Sequence, residues 1–185
     1  MKRSKDSELT EHFVAGERVY DGGLLKVHRD TVRLPDGTQA YREYIRHPGA
    51  VAVVALFDDG AVLLERQFRY PNGREFIEIP AGKLEPGEPH LETAQRELLE
   101  ETGYVAAEWT PLCVIHTAIG YTDEAIEIFL ARRLVQKERK LDAGEFLEVF
   151  RLPFQEAVAM IRDGSITDAK TVAGLLWVDK WGPEA

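Results

Sequence analysis

Three closely spaced glutamates carry the clearest chemical signal in this sequence. Glu97, Glu100 and Glu101 stand three and four residues apart, so they can share one face of a helical turn. Like charges at this spacing destabilise a helix, and a divalent cation is the simplest counterion for them. Mg²⁺ prefers oxygen ligands such as carboxylates. The cluster therefore predicts a metal site, whereas a solvated surface helix is the alternative for any one glutamate taken alone.

Neighbouring residues extend this candidate site. A fourth glutamate, Glu88, comes after a short loop flanked by Gly82 and Gly87. Glycine permits backbone conformations that other residues resist, so the loop can bring carbonyl oxygens close to a metal. Arg96 precedes Glu97 and can orient the carboxylates through charge-assisted hydrogen bonds. Metal ions held here would neutralise an anionic ligand and lower the pKa of an attacking water.

Composition excludes several classes of protein. The chain has 185 residues, 44% of them hydrophobic, which predicts one domain and a small extra element. A net charge of −9 argues against nucleic-acid binding through a basic surface. The longest apolar run, Ala50 to Phe57, is far shorter than the ~18 residues of a membrane span. A single cysteine, Cys113, and a polar N-terminus without a secretory signal predict a cytoplasmic protein.

Turn and strand signals divide the chain into three parts. Residues 1–15 are predicted to be a flexible arm. Residues 16–47 are predicted to form a β-rich element, because Pro35-Asp36-Gly37 is a strong turn signal between two β-rich runs. Residues 48–185 are predicted to form the main domain. This domain contains several strands, a glutamate-bearing helix ending at Gly103 and two C-terminal helices, an order that favours an α+β sandwich.

The glutamate-bearing stretch fills a family pattern. Nudix hydrolases carry G-x5-E-x7-R-E-U-x-E-E-x-G-U, where U is a bulky apolar residue, and the chain resembles them at Gly82, Glu88, Arg96, Glu97, Leu98, Glu100, Glu101, Gly103 and Tyr104. Tyr104 departs from the usual aliphatic residue. The resemblance implies a Nudix-type α/β/α sandwich with a mixed central sheet, preceded by an antiparallel β-rich extension.

Flanking segments resemble one subfamily. ADP-ribose pyrophosphatases carry a characteristic segment before the Nudix pattern. Residues Leu64 to Gly82, with the sequence LERQFRYPNGREFIEIPAG, are similar to that segment. The resemblance implies that the backbone carbonyl of Ala81 and the carboxylates of Glu97 and Glu101 bind the metal. Glu100 is a frequent additional ligand and is predicted to have a catalytic role. Arg96 is predicted to orient these groups during catalysis.

The same subfamily implies how substrate is bound. The second arginine of its R-Q-x-R element contacts the diphosphate, which falls on Arg69, and Arg66 from the same element is included as a substrate-binding residue. The glutamate before the P-A-G element lies at the pocket, which falls on Glu78. The alternatives are a surface cation at a strand end for Arg69 and a half-buried polar residue for Glu78.

A second acidic loop resembles the subfamily's P-G-[FY]-[TS]-[DE]-E element. It implies a glutamate that serves as general base or holds a catalytic metal, which falls on Glu124. Asp123 is the alternative residue, and an ordinary solvated hairpin is the alternative structure. The proline of that element is replaced by Ile119, which leaves the substrate less firmly indicated.

The implied reaction is Mg²⁺-dependent hydrolysis of a nucleoside diphosphate derivative, with Mn²⁺ as a possible substitute. ADP-ribose would give AMP and ribose 5-phosphate. A nucleotide-sugar pyrophosphatase acting on GDP-mannose, a non-catalytic Nudix-fold ligand sensor and an acidic structural protein are the alternatives. The subfamily also implies a homodimer in which N-terminal strands cross to the partner and help to bind the nucleobase.

Overall fold

The computed structural model describes residues 8–182 except 140, 142, 143 and 145. The chain divides into two compact units. The first runs to His47 and adds the loop Ala118–Glu124, and the second runs from Pro48 to Thr117 and resumes at Ala125. No helix within the described residues is long and apolar enough to cross a membrane.

The first unit is a three-stranded antiparallel sheet. Its strands are β1 (His12–Asp21), β2 (Lys26–Arg33) and β3 (Gln39–Ile45), in the order β1-β2-β3. The predicted turn between the last two strands is present, and Gly37 adopts the positive φ of 87° that such a turn favours.

The predicted flexible arm over residues 1–15 is wrong from His12 onwards, because His12–Asp21 pairs along its length with β2. This pairing supplies backbone hydrogen bonds that no local sequence signal reveals. Residues 1–7 lie outside the described residues. Every residue of β1 is exposed.

Among the described residues, the second unit combines two sheets with three α-helices. One sheet has the order β10-β5-β6 and the other β7-β4-β9-β8. The strands are β4 (Ala50–Ala55), β5 (Ala61–Arg69), β6 (Arg74–Glu78), β7 (Ala81–Lys83), β8 (Tyr104–His116), β9 (Ala125–Gln136) and β10 (Leu147–Pro153). The helices are α1 (His90–Glu97), α2 (Phe154–Arg162) and α3 (Ala169–Trp181).

Strand β4 lies at the centre of this unit. All of its residues are buried, and it pairs in parallel with β9 and antiparallel with β7, which makes the sheet mixed. Alternate side chains of a strand point to opposite faces. Val54 accordingly packs in one cluster with Leu175 of α3, whereas Val53 packs in another with Ala94 of α1. Helices therefore cover both faces, as the sandwich prediction requires.

The helix that carries the glutamates changes geometry along its length. Helix α1 continues beyond Glu97 as a wider turn, Leu98–Thr102, with the hydrogen-bond spacing of a π-helix. Gly103 ends it in the left-handed conformation, with φ 75°, and its N–H donates to the Leu99 carbonyl. Such wide turns are frequent at functional sites.

Candidate active site

Arg96 is the centre of the glutamate cluster. Its Nε and Nη2 donate to the two carboxylate oxygens of Glu88, each at 3.0 Å. Its Nη1 donates to Glu97 at 2.9 Å and to Glu100 at 3.0 Å. Thr93 adds a hydrogen bond to Glu88 at 2.8 Å. One guanidinium therefore contacts three carboxylates, and the predicted role of Arg96 in orienting them during catalysis remains a prediction.

These contacts shift the acidity of the cluster. The hydrogen bonds from Arg96 are the largest cause that lowers the pKa of Glu88 to about 2, and Thr93 adds to the effect. The pKa of Arg96 is raised, first by its hydrogen bonds to Glu88. Glu88 and Arg96 therefore form a charged pair near neutral pH.

Gly82 is required for a reason other than the predicted one. A Cβ built on Gly82 would overlap the carboxylate of Glu97. Its backbone is not in the positive-φ region, unlike that of Gly87, which has φ 82°. Gly82 therefore provides space for a carboxylate, and Gly87 provides the conformational freedom that the sequence suggested for both.

Glu101 is the buried member of the cluster. Only 7% of it is exposed, and its Oε2 accepts a hydrogen bond from the backbone N–H of Ala81 at 3.0 Å. The turn after α1 thus places Glu101 against the start of β7. The predicted carbonyl ligand and the predicted carboxylate ligand are neighbours through this bond, although they stand twenty positions apart in the chain.

The chemistry of the donors suits a hard divalent cation. Glu97, Glu100 and Glu101 offer only carboxylate oxygens, and one guanidinium does not neutralise them. Within the part of the chain that the structure describes, no three carboxylate, imidazole or thiol groups converge as a ready metal-binding group. The ligand roles of these residues and of Ala81 therefore remain predictions.

A second ionic network surrounds Glu78. Arg69 donates from Nε and from Nη2 to the two oxygens of Glu78, both at 2.7 Å. Lys170 also bonds to Glu78, and it reaches Asp168 at 2.9 Å. Asp168 caps helix α3 by accepting from the Thr171 N–H at 3.0 Å. The network ties the N-terminus of α3 to strands β5 and β6.

This network lies within electrostatic reach of the glutamate cluster. Burial by itself raises the pKa of Glu78, but the hydrogen bonds from Arg69 and the charge of Lys170 outweigh it, and the pKa is lowered. The pKa of Arg69 is raised, first by its hydrogen bond to Glu78, and Asp168 and Glu101 contribute further. Arg69, the predicted diphosphate-binding residue, and Glu101 therefore belong to one charged region.

Three residues of this region escaped the sequence analysis. Asp168 and Lys170 look like ordinary polar residues of a surface helix, although an Asp three residues before a Thr at a helix start is a recognisable cap. Glu65 follows an apolar run on β5 and lies on the same strand face as the buried Leu63. Residues two apart on a strand point to the same face, so the position of Glu65 two residues after Leu63 was the signal for its burial.

Arg66 is not brought to the same place. It occupies the opposite face of β5 from Arg69, because neighbouring positions alternate across a strand. There it pairs with Glu148 at 2.5 Å and stacks over the ring of Phe150. Its predicted role in substrate binding is not supported by this geometry within the second unit.

The second acidic loop belongs to the first unit. Asp123 accepts from Arg46 at 2.7 Å and from the His47 N–H at 2.8 Å. Burial raises the pKa of Asp123, but the hydrogen bonds from Arg46 and His47 outweigh it, and the pKa is lowered. Glu124 lies 3.5 Å from His47 Nε2. Asp123 is thus engaged in holding the loop against the end of β3, and the assignment of Glu124 as the base stays a prediction.

Comparison with known proteins decides the family. The family model of the NUDIX domain matches residues 46–175 of the chain. The chain belongs to the Nudix family. The predicted family membership is therefore confirmed. Nudix hydrolases generally need a divalent metal. A solved structure of an ADP compounds hydrolase superposes with a TM-score of 0.84 at 25% identity over 96% of both chains, which confirms the predicted fold class of this Nudix chain.

Several curated relatives align over 80% or more of this Nudix chain. An ADP-ribose pyrophosphatase of Bacillus subtilis is 40% identical over 172 residues, covering 92% of this chain and 93% of the relative. A methanol dehydrogenase activator of Bacillus methanolicus is 39% identical over 170 residues, covering 91% and 92%. A GDP-mannose pyrophosphatase of Yersinia enterocolitica is 38% identical over 162 residues, covering 80% and 84%.

Proposed function

We propose that this Nudix protein hydrolyses the pyrophosphate bond of a nucleoside diphosphate derivative, with ADP-ribose as the preferred substrate. Water adds across the bond, and the products are AMP and ribose 5-phosphate. The observation that carries the proposal is the placement of Arg69 beside Glu78, in the same charged region as Glu101. The similarity to an ADP-ribose pyrophosphatase over 92% of the chain supports the choice of substrate.

Arg69 is prepared to bind a diphosphate. Glu78 holds the guanidinium through Nε and Nη2, which fixes its plane and leaves its other N–H donors for an anionic oxygen. The side chain of Arg69 is 45% exposed, so a ligand can reach it. Lys170 also bonds to Glu78, so Arg69 is not the only cation that offsets the charge of this carboxylate.

The glutamate cluster is proposed to hold Mg²⁺, with Mn²⁺ as a substitute. Its ligands would be the Ala81 carbonyl with Glu97, Glu100 and Glu101. The ion would neutralise the diphosphate and lower the pKa of the attacking water. Arg96 keeps the carboxylates in position, and Glu124 is proposed to accept the proton of that water.

The first unit is proposed to mediate dimerisation and to contribute to substrate binding. Strand β1 is exposed throughout and carries large apolar side chains, including Phe13, Val14, Val19 and Tyr20. Large exposed apolar side chains are a feature of protein interfaces. Sedimentation at micromolar concentration tests the assembly, and a monomer would contradict it.

One assay tests the activity. Purified protein with Mg²⁺ is incubated with ADP-ribose, GDP-mannose, NADH, diadenosine polyphosphates and 8-oxo-dGTP, and the products are separated. We expect ADP-ribose to be hydrolysed with the highest kcat/KM. GDP-mannose as the best substrate would favour the alternative supported by the Yersinia relative. A folded protein that binds a member of the panel but hydrolyses none would be the non-catalytic sensor.

A pair of variants tests the site. Glu101→Gln keeps the size of the side chain but removes the charge, so we expect turnover to be abolished while the circular dichroism spectrum is unchanged. Glu92→Gln is the matched control, because Glu92 lies on the same helical segment but is exposed and outside the cluster. Wild-type kcat in well-folded Glu101→Gln protein would overturn the metal-ligand assignment.

A further inference from the structure

Two buried carboxyl groups face each other across strands β5 and β6. Glu65 is directly opposite Glu78 in the antiparallel register, and the Cβ atoms of such a pair lie about 5 Å apart. Only 3% of Glu65 and 4% of Glu78 are exposed. Two ionised carboxylates this close and this far from water repel each other, so the pair favours sharing one proton.

The surroundings decide which carboxyl group holds the proton. Glu78 accepts two hydrogen bonds from Arg69 and another from Lys170, and these favour its charged form. Glu65 Oε1 is buried without a hydrogen-bond partner among the described residues. Burial is the main cause that raises the pKa of Glu65 to about 8, against the lowering effect of nearby cations. The neutral acid is therefore Glu65.

Charged groups reach Glu65 from several elements. They are Arg69 on its own strand, Glu78 on β6, Lys170 on α3 and Arg139 in the segment after β9. Strand β10 places the apolar Val149 opposite Glu65 on the other side. A change in the charge of Glu65 is thus felt by both cations that bind Glu78.

We propose that Glu65 is a positioning residue for diphosphate binding, which acts through Arg69 and Lys170. As a neutral acid, Glu65 leaves both cations to Glu78 and allows Arg69 to attract the substrate. As an anion, Glu65 competes for both cations and adds negative charge beside the diphosphate. This inference rests on the proposed function, in which Arg69 contacts the diphosphate.

We expect kcat/KM to decrease at alkaline pH, and this decrease is the alkaline limb of the pH profile. Above pH about 8 Glu65 ionises, so kcat/KM should fall while kcat at saturating substrate changes little. The profile of kcat/KM reports groups of the free enzyme. If bound substrate raises the pKa of Glu65 by about one unit, linkage requires a fall on the order of tenfold.

Glu65→Gln should remove this limb, because it mimics the neutral acid at every pH. We expect its kcat/KM, expressed relative to its own value at pH 7, to remain flat between pH 7 and 9. Lys170→Met removes a cation that lowers the pKa of Glu65, so the limb should move to higher pH. Glu92→Gln is the control and should keep the wild-type profile. A limb that persists unchanged in Glu65→Gln, or a wild-type profile without one, overturns the proposal.

A titration of the wild-type protein does not depend on turnover or on any variant folding. With ¹³C-labelled glutamate, one carboxyl resonance should titrate with a midpoint near pH 8, and Glu65→Gln should remove it if that variant folds. Glutamates that all titrate below pH 6 overturn the proposal. Absence of hydrolysis across the substrate panel, with this titration observed, would refute the proposed function and leave the shared proton intact.

Discussion

Replacing Arg96 with Gln tests whether one guanidinium acts as the counterion of the glutamate cluster. The change removes four hydrogen bonds to Glu88, Glu97 and Glu100 and leaves three carboxylates close together. Removing one partner of a fully buried ion pair costs ~3–5 kcal/mol. Arg96 is 28% exposed and its partners are 15–32% exposed, so solvent screening reduces the cost, and we expect about 2–3 kcal/mol at low ionic strength.

The expected loss is measurable by thermal unfolding. For a chain of this size each kcal/mol corresponds to about 2–4 °C in Tm, so Arg96→Gln should melt roughly 4–12 °C below the wild type in EDTA and low salt. Saturating Mg²⁺ should narrow this gap, because a cation bound to the folded state replaces the lost positive charge. Differential scanning calorimetry with and without Mg²⁺ gives both quantities.

Two further variants serve as controls. Arg96→Lys keeps the charge but loses the planar fork that bonds several carboxylates at once, so it should lie between the wild type and Arg96→Gln. Arg29→Gln removes an exposed ion pair with Glu43 on the first unit and should change Tm very little. A Tm for Arg96→Gln equal to that of the wild type in EDTA, or a gap that Mg²⁺ leaves unaltered, would refute the counterion argument.

The other predictions concern the same cluster. Gly82→Ala should lower kcat by about a hundredfold or more, because the added Cβ must displace the Glu97 carboxylate and misplacing a catalytic group by about 1 Å has an effect of this scale. Steady-state kinetics, with a far-ultraviolet circular dichroism spectrum to check folding, measures this loss. A kcat near that of the wild type would contradict the prediction. Glu88 has a pKa lowered from its ordinary 4.5 to about 2, so its stabilising contribution is complete above pH 4.5 and is lost as pH falls towards 2. Glu88→Gln should therefore flatten the dependence of Tm on pH in this window, and a slope equal to that of the wild type would disprove the role assigned to its ion pair with Arg96.

Local spacing was sufficient for much of the site. Arg96, Glu97, Glu100 and Glu101 lie within one helical segment, where residues three and four apart are neighbours whatever the rest of the fold does. The central strand was also predictable, since a continuous apolar run such as Ala50–Ala55 fits a strand buried on both faces. Gly103 marks the helix end because few other residues adopt its conformation cheaply.

Pairing between distant segments was not predictable in the same way. Strand β1 has no buried face, so its composition carried no alternation from which to predict a strand. It forms because β2 supplies hydrogen-bond partners. The role of Gly82 was misjudged for a similar reason, because the carboxylate that needs its space belongs to Glu97, fifteen positions later.

The sequence by itself determined the family, the helix that carries the glutamates and the chemistry that their oxygens support. These follow from residue types at short, regular intervals. Only the tertiary structure decided that Arg69 pairs with Glu78, and that Glu65 meets Glu78 beside Lys170. The register of two strands and the approach of a helix end set the burial of these charges, and burial determines which of them holds a proton.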